Sequence, residues 1–308
     1  MMKPYDLTPD DRADESVRTI LYRLFGELRS NVAGVLENED VEFLHDFRVA
    51  NRRTRSALSQ ARDVLPSPVI DTFPPEFKWL GTVTGPRRDL DVFLRAMAGH
   101  QHRPGTDGSA LASLGNFLRE KRRLEHDLVR TALQSERYQS LVEEWGRFLE
   151  TGAESGTGPP LASSPIIELA GPRILRAYRR MWKRGAGIGI KPPATLLHRL
   201  RIDGKKLRYL LEFFTELYSA ATISRFIGEL KKLQDILGDF NDTGVQLALI
   251  GEFKDQDIAS PEAFAASSLL AEMITQRQCE LRVEFAEHFE NFASEDNRKL
   301  YKKTFRSP

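Results

Sequence analysis

A shift of 153 residues lays one stretch of this chain onto another. His198-Arg-Leu-Arg201-Ile-Asp-Gly-Lys205-Lys206-Leu-Arg208 falls over His45-Asp-Phe-Arg48-Val-Ala-Asn-Arg52-Arg53-Thr-Arg55 (198 − 45 = 153), a shared pattern H-x-x-R-x-x-x-[RK]-[RK]-x-R. The same shift places Gly238 on Gly85, Asp242 on Asp89 and Val245 on Val92. Two blocks in one register mark an internal duplication. A duplicated chain is limited to folds that build two similar units and join them.

Read as a helix, the stretch from 45 to 58 has two faces. At about 100° per residue, His45, Arg48, Arg52 and Arg55 share a sector of about 80°, with Phe47, Ala50, Ala57, Leu58 and Ala61 opposite. In the second copy Leu200, Leu207, Leu210, Leu211 and Phe214 lie opposite His198, Arg201, Lys205 and Arg208. Each helix can bury one face and present a histidine and several cations on the other. Like charges at i,i+3 and i,i+4 repel. A stripe of them on an isolated helix reads as a solvated face. Repetition in register, with a histidine leading both runs, favours anion binding instead. Arginine suits that task, because its donor fork matches phosphate oxygens and its charge is fixed at any relevant pH.

Almost the whole chain reads as helix, and no segment alternates with the period of a strand. The expected fold is all-α: two helical bundles from an internal duplication, related by pseudo-twofold symmetry around a basic central cavity. TGAESGTGPPLASS reads as a linker. It divides the chain into a first half over residues 1–151, a linker over 152–163 and a second half over 164–308. PSPVIDTFPP, residues 66–75, reads as a connector, and a helix is expected from about Pro172. Gly238 reads as a break between two helices, and the tail from Ser294 as a short frayed helix. Arg88-Asp89 and Asn241-Asp242, each just past a glycine, then resemble helix N-termini with an acid in the first turn. Asp89 and Asp242 are also placed to hold arginines in a binding orientation.

The balance of 45 Lys+Arg against 44 Asp+Glu conceals clustering. Arg173, Arg176, Arg179, Arg180, Lys183 and Arg184 fall within residues 173–184 with no acid among them. The basic surface should therefore be lopsided toward the second half. Arg88, Lys121, Arg122, Arg176 and Arg180 are further candidates by helix face. Cys279 is the single cysteine, which excludes an intrachain disulfide and a cysteine zinc site. MMKPYDLTPDD lacks the apolar core of a secretory signal, and no apolar run approaches the roughly 18 residues of a membrane span. A soluble, cytoplasmic protein is expected.

Catalytic signatures are missing. GAGIG at 185–189 lacks the spacing and preceding strand of a dinucleotide fingerprint. DFNDTG at 239–244 begins like a calcium loop, but Ile250 stands where the bidentate glutamate is needed. His45 and His198 permit three readings: a packed or capping side chain, a phosphate donor, or a metal ligand. The arginines at +3 and +7 oppose the last, and a metal wants three or four convergent ligands. No metal, cofactor or protein partner is expected.

The paired H-x-x-R-x-x-x-[RK]-[RK]-x-R helices, with GPRRDLDV and GDFNDTGV downstream, resemble the CHAD domain, an all-helical module. The likeness runs from about Ser16 to Phe292, and ERYQSLVEEW at 136–145 fits the helix ending the family's first half. The resemblance implies two helical bundles around a basic cavity, binding of inorganic polyphosphate, and association with polyphosphate granules. Carried over by position, the phosphate-binding set is His45, Arg48, Arg52, Arg53, Arg55, His198, Arg201, Lys205, Lys206 and Arg208. Family members are often fused to a CYTH triphosphate-processing domain marked by an E-x-E-x-K strand. Glu37-Asn-Glu39 lacks the lysine and sits in a helical context, so a stand-alone form is expected. A polyphosphate-binding module without catalysis is the leading reading. A nucleic-acid binder is the second, and a metal-dependent phosphohydrolase using both histidines with Asp89 and Asp242 the third.

Overall fold

The structure, a computed structural model, describes residues 5–100, 111–151, 159–189, 191–256 and 260–306. Among them all regular structure is helical: α1 (Ala13–Ser30), α2 (Val32–Glu37), α3 (Val41–Ser59), α4 (Ser67–Val83), α5 (Gly85–His100), α6 (Ala112–Leu133), α7 (Glu136–Thr151), α8 (Ile166–Gly185), α9 (Ala194–Phe213), α10 (Ala220–Lys254), α11 (Pro261–Ala293) and α12 (Glu295–Phe305). The expectation of an all-α chain holds.

The apolar faces read from the sequence are the buried ones. Phe47, Ala50, Ala57, Leu58 and Ala61 all lie in the core, as do Leu200, Leu207, Leu210, Leu211 and Phe214. The larger hydrophobic core runs from Tyr5 to Phe305 and takes residues from both sides of the linker. A smaller one joins Leu90, Phe93 and Met97 of α5 and Leu114 and Leu118 of α6 to Leu249, Ile250 and Phe253 of α10 and Leu270 and Ile274 of α11. Behind the linker, backbone bonds from Ala13 to the Ser164 carbonyl (2.9 Å) and from Asp14 to the Ala162 carbonyl (3.0 Å) tie α1 to the approach to α8.

Four segments differ from their sequence reading, each because packing outweighs local propensity. The proposed connector at 66–75 lies mostly within α4, which contains Pro74 and Pro75. An interior proline costs a helix about 3 kcal/mol. Phe73 and Phe77 offset it by packing on Trp145 of α7 at centroid distances of 4.6 and 5.2 Å. Likewise α8 begins at Ile166 and passes through Pro172, burying Ile166, Leu169 and Ala170. Gly238 does not break a helix: α10 is continuous over 35 residues. Its two ends sit in different cores, Leu233 and Leu237 in one and Ile250 and Phe253 in the other. A break would have cost both contacts to spare about 1 kcal/mol of glycine penalty. Asn241-Asp242 therefore lies inside a helix, not at an N-terminus.

The tail is the fourth difference. Tyr301 of α12 is fully buried, with ring centroids 3.9 Å from both Tyr178 of α8 and Phe226 of α10. Its Ser294 cap accepts from the Asn297 N–H at 3.3 Å. The helix is therefore part of the core and not a frayed end.

The helices carrying the repeated pattern are brought together by this packing. α3 packs on α1 and α4, α9 packs on α8 and α10, and α3 and α9 touch each other. Gly204 sits within α9 where it meets Gln234 of α10 and Met181 of α8. A methyl group there would make ordinary contacts, 3.4 Å to Met181 and 3.7 Å to Gln234. The glycine is thus a cost to α9 without a steric need. Gly204→Ala should stabilise the fold by about 0.5–1 kcal/mol, raising Tm by about 1–3 °C in differential scanning calorimetry. A lowered Tm would show that the site cannot accept a methyl group.

Candidate anion-binding site

α3 starts at Asp40, whose carboxylate accepts from the Glu42 N–H at 3.0 Å. Its buried row fixes its rotation and turns His45, Arg48 and Arg52 toward α5 and α9. Arg48 reaches the end of α4, where its Nη1 donates to the Gly81 carbonyl at 3.0 Å and to Thr84 Oγ1 at 2.7 Å. Carbonyls in a last helical turn lack intrahelical donors, so the end of α4 anchors this guanidinium. Arg52 is oriented across the helix interface, with its Nε donating to the Tyr209 hydroxyl at 3.0 Å. Tyr209 is only 2% exposed. The guanidiniums of Arg53 and Arg208 each stand 5.6 Å from its ring centroid.

Mutual electrostatic influence shows which charges share one space. Arg48 is acted on by Arg52, Arg88 and Arg201, and by Asp89. Arg201 is acted on by Arg52, Asp242 and Asp89. Lys205 is acted on by Arg52, Arg201 and Arg208, and by Asp242. His45 lies under the influence of Arg88 and Arg52. One cluster therefore draws cations from α3, α5 and α9, with Asp89 of α5 and Asp242 of α10 at its edge. Neither aspartate makes an ion pair within 4 Å among the described residues. Asp89 and Asp242 act at a distance and do not clamp an arginine directly.

The cluster is under electrostatic strain. Burial first, then the neighbouring cations, pushes the Lys205 amine down to about 6. Burial likewise brings Arg48 down to about 10 and lowers Arg201 and His45. Asp89 is raised by burial, with Asp242 adding to the shift against the pull of Arg48. An incoming anion would relieve all of the cationic shifts at once.

A second group adjoins the first. Lys206 is lowered by burial and by Arg180, Arg184 and Arg55, against Asp203. Arg184 is bonded to Asp203, whose side chain is 4% exposed. Arg55 is lowered by burial and by Arg52, which links the two groups.

Other sequence candidates stand apart. Arg53 is paired with Glu212 of α9 in a largely buried contact, and Arg208 Nε lies 3.5 Å from the same carboxylate. Arg122 Nε donates to Asp91 at 2.6 Å and its Nη2 to Asn38 at 2.9 Å, a knot that also holds Arg87 and ties α2, α5 and α6. Lys121 is paired with Glu252 of α10. Arg173 is buried beside Asp63 at 3.3 Å. Arg176 and Arg180 stand exposed on α8. His45 is half-buried within the cluster, whereas His198 is exposed. The two histidines are therefore in different environments. Among the described residues no group of three or more His, Cys, Asp or Glu is arranged to hold a metal.

Sequence reasoning missed Glu212, Asp203 and Tyr209 as organisers of the cluster, and also the cations of α12. Glu212 is four residues past Arg208, an i,i+4 spacing that could have marked it. Nothing local pairs Tyr209 with Arg52, which are 157 residues apart.

An all-helical chain in which two like-patterned helices share one cluster of cations is a defined class of protein. Comparison with known proteins names it. The family model described as "CHAD domain" matches residues 19–251, and the chain belongs to the CHAD domain family. The crystal structure of the CHAD domain from the plant Ricinus communis superposes with a TM-score of 0.77 at 28% identity, covering 93% of each chain. PptA from Streptomyces chartreusis shares the fold at a TM-score of 0.71 and 17% identity, covering 91% of this chain and 100% of that one. Two curated relatives, both uncharacterized proteins of Mycobacterium tuberculosis, are 28% identical over 216 residues, or 66% of this chain. The match spans 38% of the length of those relatives. No helix among the described residues is long and apolar enough to cross a membrane.

Two outcomes follow from the geometry. Removing one member of a buried ion pair strands the other, at about 3–5 kcal/mol. Arg53→Ala should therefore lower Tm by several degrees, whereas Arg55→Ala, which breaks no ion pair among the described residues, should leave it nearly unchanged in thermal melts. The second concerns pH. Lys205 is charged below its free value of about 6, and a bound anion raises that value. Its contribution to anion binding is thus complete below pH 6 and is lost as pH rises through the higher, bound value. Affinity for a linear polyanion used as a probe should fall from pH 6 to pH 9 by up to about tenfold per unit. Lys205→Arg should flatten that profile in isothermal titration.

Proposed function

We propose that this chain binds inorganic polyphosphate as a ligand, without chemical turnover, through the α3–α9 cation cluster. The observation that carries the reading is the convergence of Arg48, Arg52, Arg201 and Lys205 from both repeated helices. They form a half-buried cluster in which, among the described residues, none of the four is within ion-pairing distance of a carboxylate. Charges held in this way, with donors pre-oriented by Gly81, Thr84 and Tyr209, are complementary to a linear polyanion. Family membership supports the choice of polyphosphate, which the resemblance to CHAD domains implies. Cytoplasmic residence and association with polyphosphate granules belong to the same proposal.

The nucleic-acid reading is less well supported. Tyr209, the main aromatic residue within the basic stripes, is buried and flanked by Arg53 and Arg208. Its ring cannot receive a base, and stacking is what single-stranded nucleic acid requires. The phosphohydrolase reading lacks a nucleophile–base pair and sets its two aspartates among cations.

Binding of long-chain polyphosphate should weaken steeply with salt as counterions are released. We expect Arg52→Ala combined with Lys205→Ala to lower affinity by at least about a hundredfold, roughly two charged hydrogen-bonding groups at 1.5–3 kcal/mol each. Titration at two salt concentrations, with single-stranded RNA as competitor and phosphate release monitored, tests the reading. Normal binding by the double variant would overturn it, as would equal competition by RNA. Released phosphate would return the hydrolase.

A further inference from the structure

Lys205 is an amine among the guanidiniums of the α3–α9 cluster, and it stands where the first copy of the repeat has an arginine. The 153-residue shift lays Lys205 on Arg52 (205 − 153 = 52). For holding a polyanion an arginine suits both positions, because its charge is fixed and its fork is rich in donors. A lysine differs in one chemical respect. Once deprotonated, its amine carries a lone pair and can form a bond to carbon.

Three observations single out this amine. First, three guanidiniums are set around it. Arg201 and Arg208 lie at i−4 and i+3 on α9, with Cβ atoms about 5–6 Å from that of Lys205. Arg52 crosses from α3 and is held by its Nε on the hydroxyl of Tyr209, at i+4 from Lys205, at 3.0 Å. Second, among the described residues Lys205 makes no ion pair, and Asp242 acts on it only from beyond ion-pairing range. Lys121 and Lys254, by contrast, are engaged by Glu252 and by the Ser268 hydroxyl. Third, donors around it are left over. The Nε of Arg201 is buried without a hydrogen-bond partner, and that of Arg208 is buried with only Glu212 near it, at 3.5 Å. Burial first, and then Arg52, Arg201 and Arg208, leave the amine mainly neutral at pH 7. A nucleophilic amine is thus ringed by donors that lack an acceptor.

We infer that Lys205 is a site of reversible carbamylation by carbon dioxide, and that the carbamate closes the α3–α9 cluster to polyanions. The Nζ lone pair attacks the carbon of CO2 and forms an N–C bond. One C=O π pair moves onto oxygen, and the amine proton passes to water. The product is a carbamate with one negative charge where the neutral amine had none, and no oxidant or further reactant is needed. A carboxylate on Nζ supplies the acceptor that the Arg201 and Arg208 Nε groups lack, in charge-assisted hydrogen bonds, which are the strong ones. It also commits those guanidiniums internally, as Glu212 commits Arg53. An incoming polyanion then meets fewer open cations and one new negative charge. The coupling is reciprocal. A bound polyanion raises the proton affinity of the amine, and a protonated amine has no lone pair for CO2. The carbamate stands on the groups around Lys205 alone, whereas its effect on binding rests on the polyphosphate reading above.

The test uses the full chain and its Lys205→Arg variant at about pH 8, where the amine is unprotonated. Isotope-enriched bicarbonate in equilibrium with CO2 is added at constant ionic strength. Carbon NMR should show a carbamate resonance in the parent that the variant lacks; every other amine is common to both chains and cancels in the comparison. Trapping the parent with a trialkyloxonium salt, followed by peptide mapping, should place the carbamate ester on Lys205. Long-chain polyphosphate should erase the resonance. Saturating CO2 should weaken the parent's polyphosphate affinity at least about tenfold, as charged hydrogen-bonding groups are withdrawn, and should leave that of Lys205→Arg at its CO2-free value. No trapped ester on Lys205 in the parent would overturn the proposal, whatever the variant does. A carbamate on Lys205 with unchanged polyphosphate affinity would overturn the closing of the cluster. If the parent binds no polyphosphate with or without CO2, the polyphosphate reading fails and the closing falls with it, while the trapped ester still decides the modification.

Discussion

Burial of the apolar faces of α3 and α9 in one core forces two stripes of like charge into the same partly dry region. The rest of the structure answers that constraint. Two unit charges 4 Å apart at an effective dielectric of 20 repel by about 4 kcal/mol, and in this cluster several like charges act on one another. Hydrophobic packing must therefore carry the cost, and the core that does so is drawn from nearly the whole chain, Tyr5 to Phe305. Because α10 enters both hydrophobic clusters and α12 closes over α8, the helices bearing the cations cannot simply separate to relax the repulsion.

What the fold does locally is decide which cations are committed and which are left open. Arg53 is committed to Glu212, and Arg122 to Asp91. Arg48 is half committed, anchored on one side by the end of α4. Arg52 is aimed by a tyrosine hydroxyl, a neutral acceptor that orients without neutralising. Lys205 is left among cations, with only Asp242 acting against them at a distance. The same distinction separates Arg184, tied to Asp203, from Arg176, Arg179, Arg180 and Lys183 on the helix surface. A protein that only needed stability would pair these groups. Leaving them open is the physical basis for reading the region as a binding surface, and polyphosphate as the ligand proposed for it.

Much of this was legible before any coordinates. The apolar rows of α3 and α9 sit where their spacing put them, and Ser260 caps α11, accepting from the Ala263 N–H at 3.2 Å. The pairing of the two basic helices was implied by their repetition. Errors came where a strong local signal met a stronger distant partner. Pro74 and Pro75 read as a connector because their cost is local, whereas the Trp145 they serve is about seventy residues away. Gly238 read as a break for the same reason, since neither core that α10 joins is visible in its own sequence. The tail read as frayed because its charges dominate its composition, while Tyr301 and Phe305 reveal their role only when α8 and α10 lie beneath them.

The sequence alone therefore determined the fold class and the two helices that carry the repeated basic stripes. Those properties follow from periodicity and charge, which are local. Tertiary structure decided which cations are spent on ion pairs, how the two histidines differ, and that α12 adds its own cations beside α8. Several of these depend on partners far along the chain, as Arg53 does on Glu212, 159 residues away. No local pattern encodes that kind of pairing, because it is selected by the packing of the whole chain.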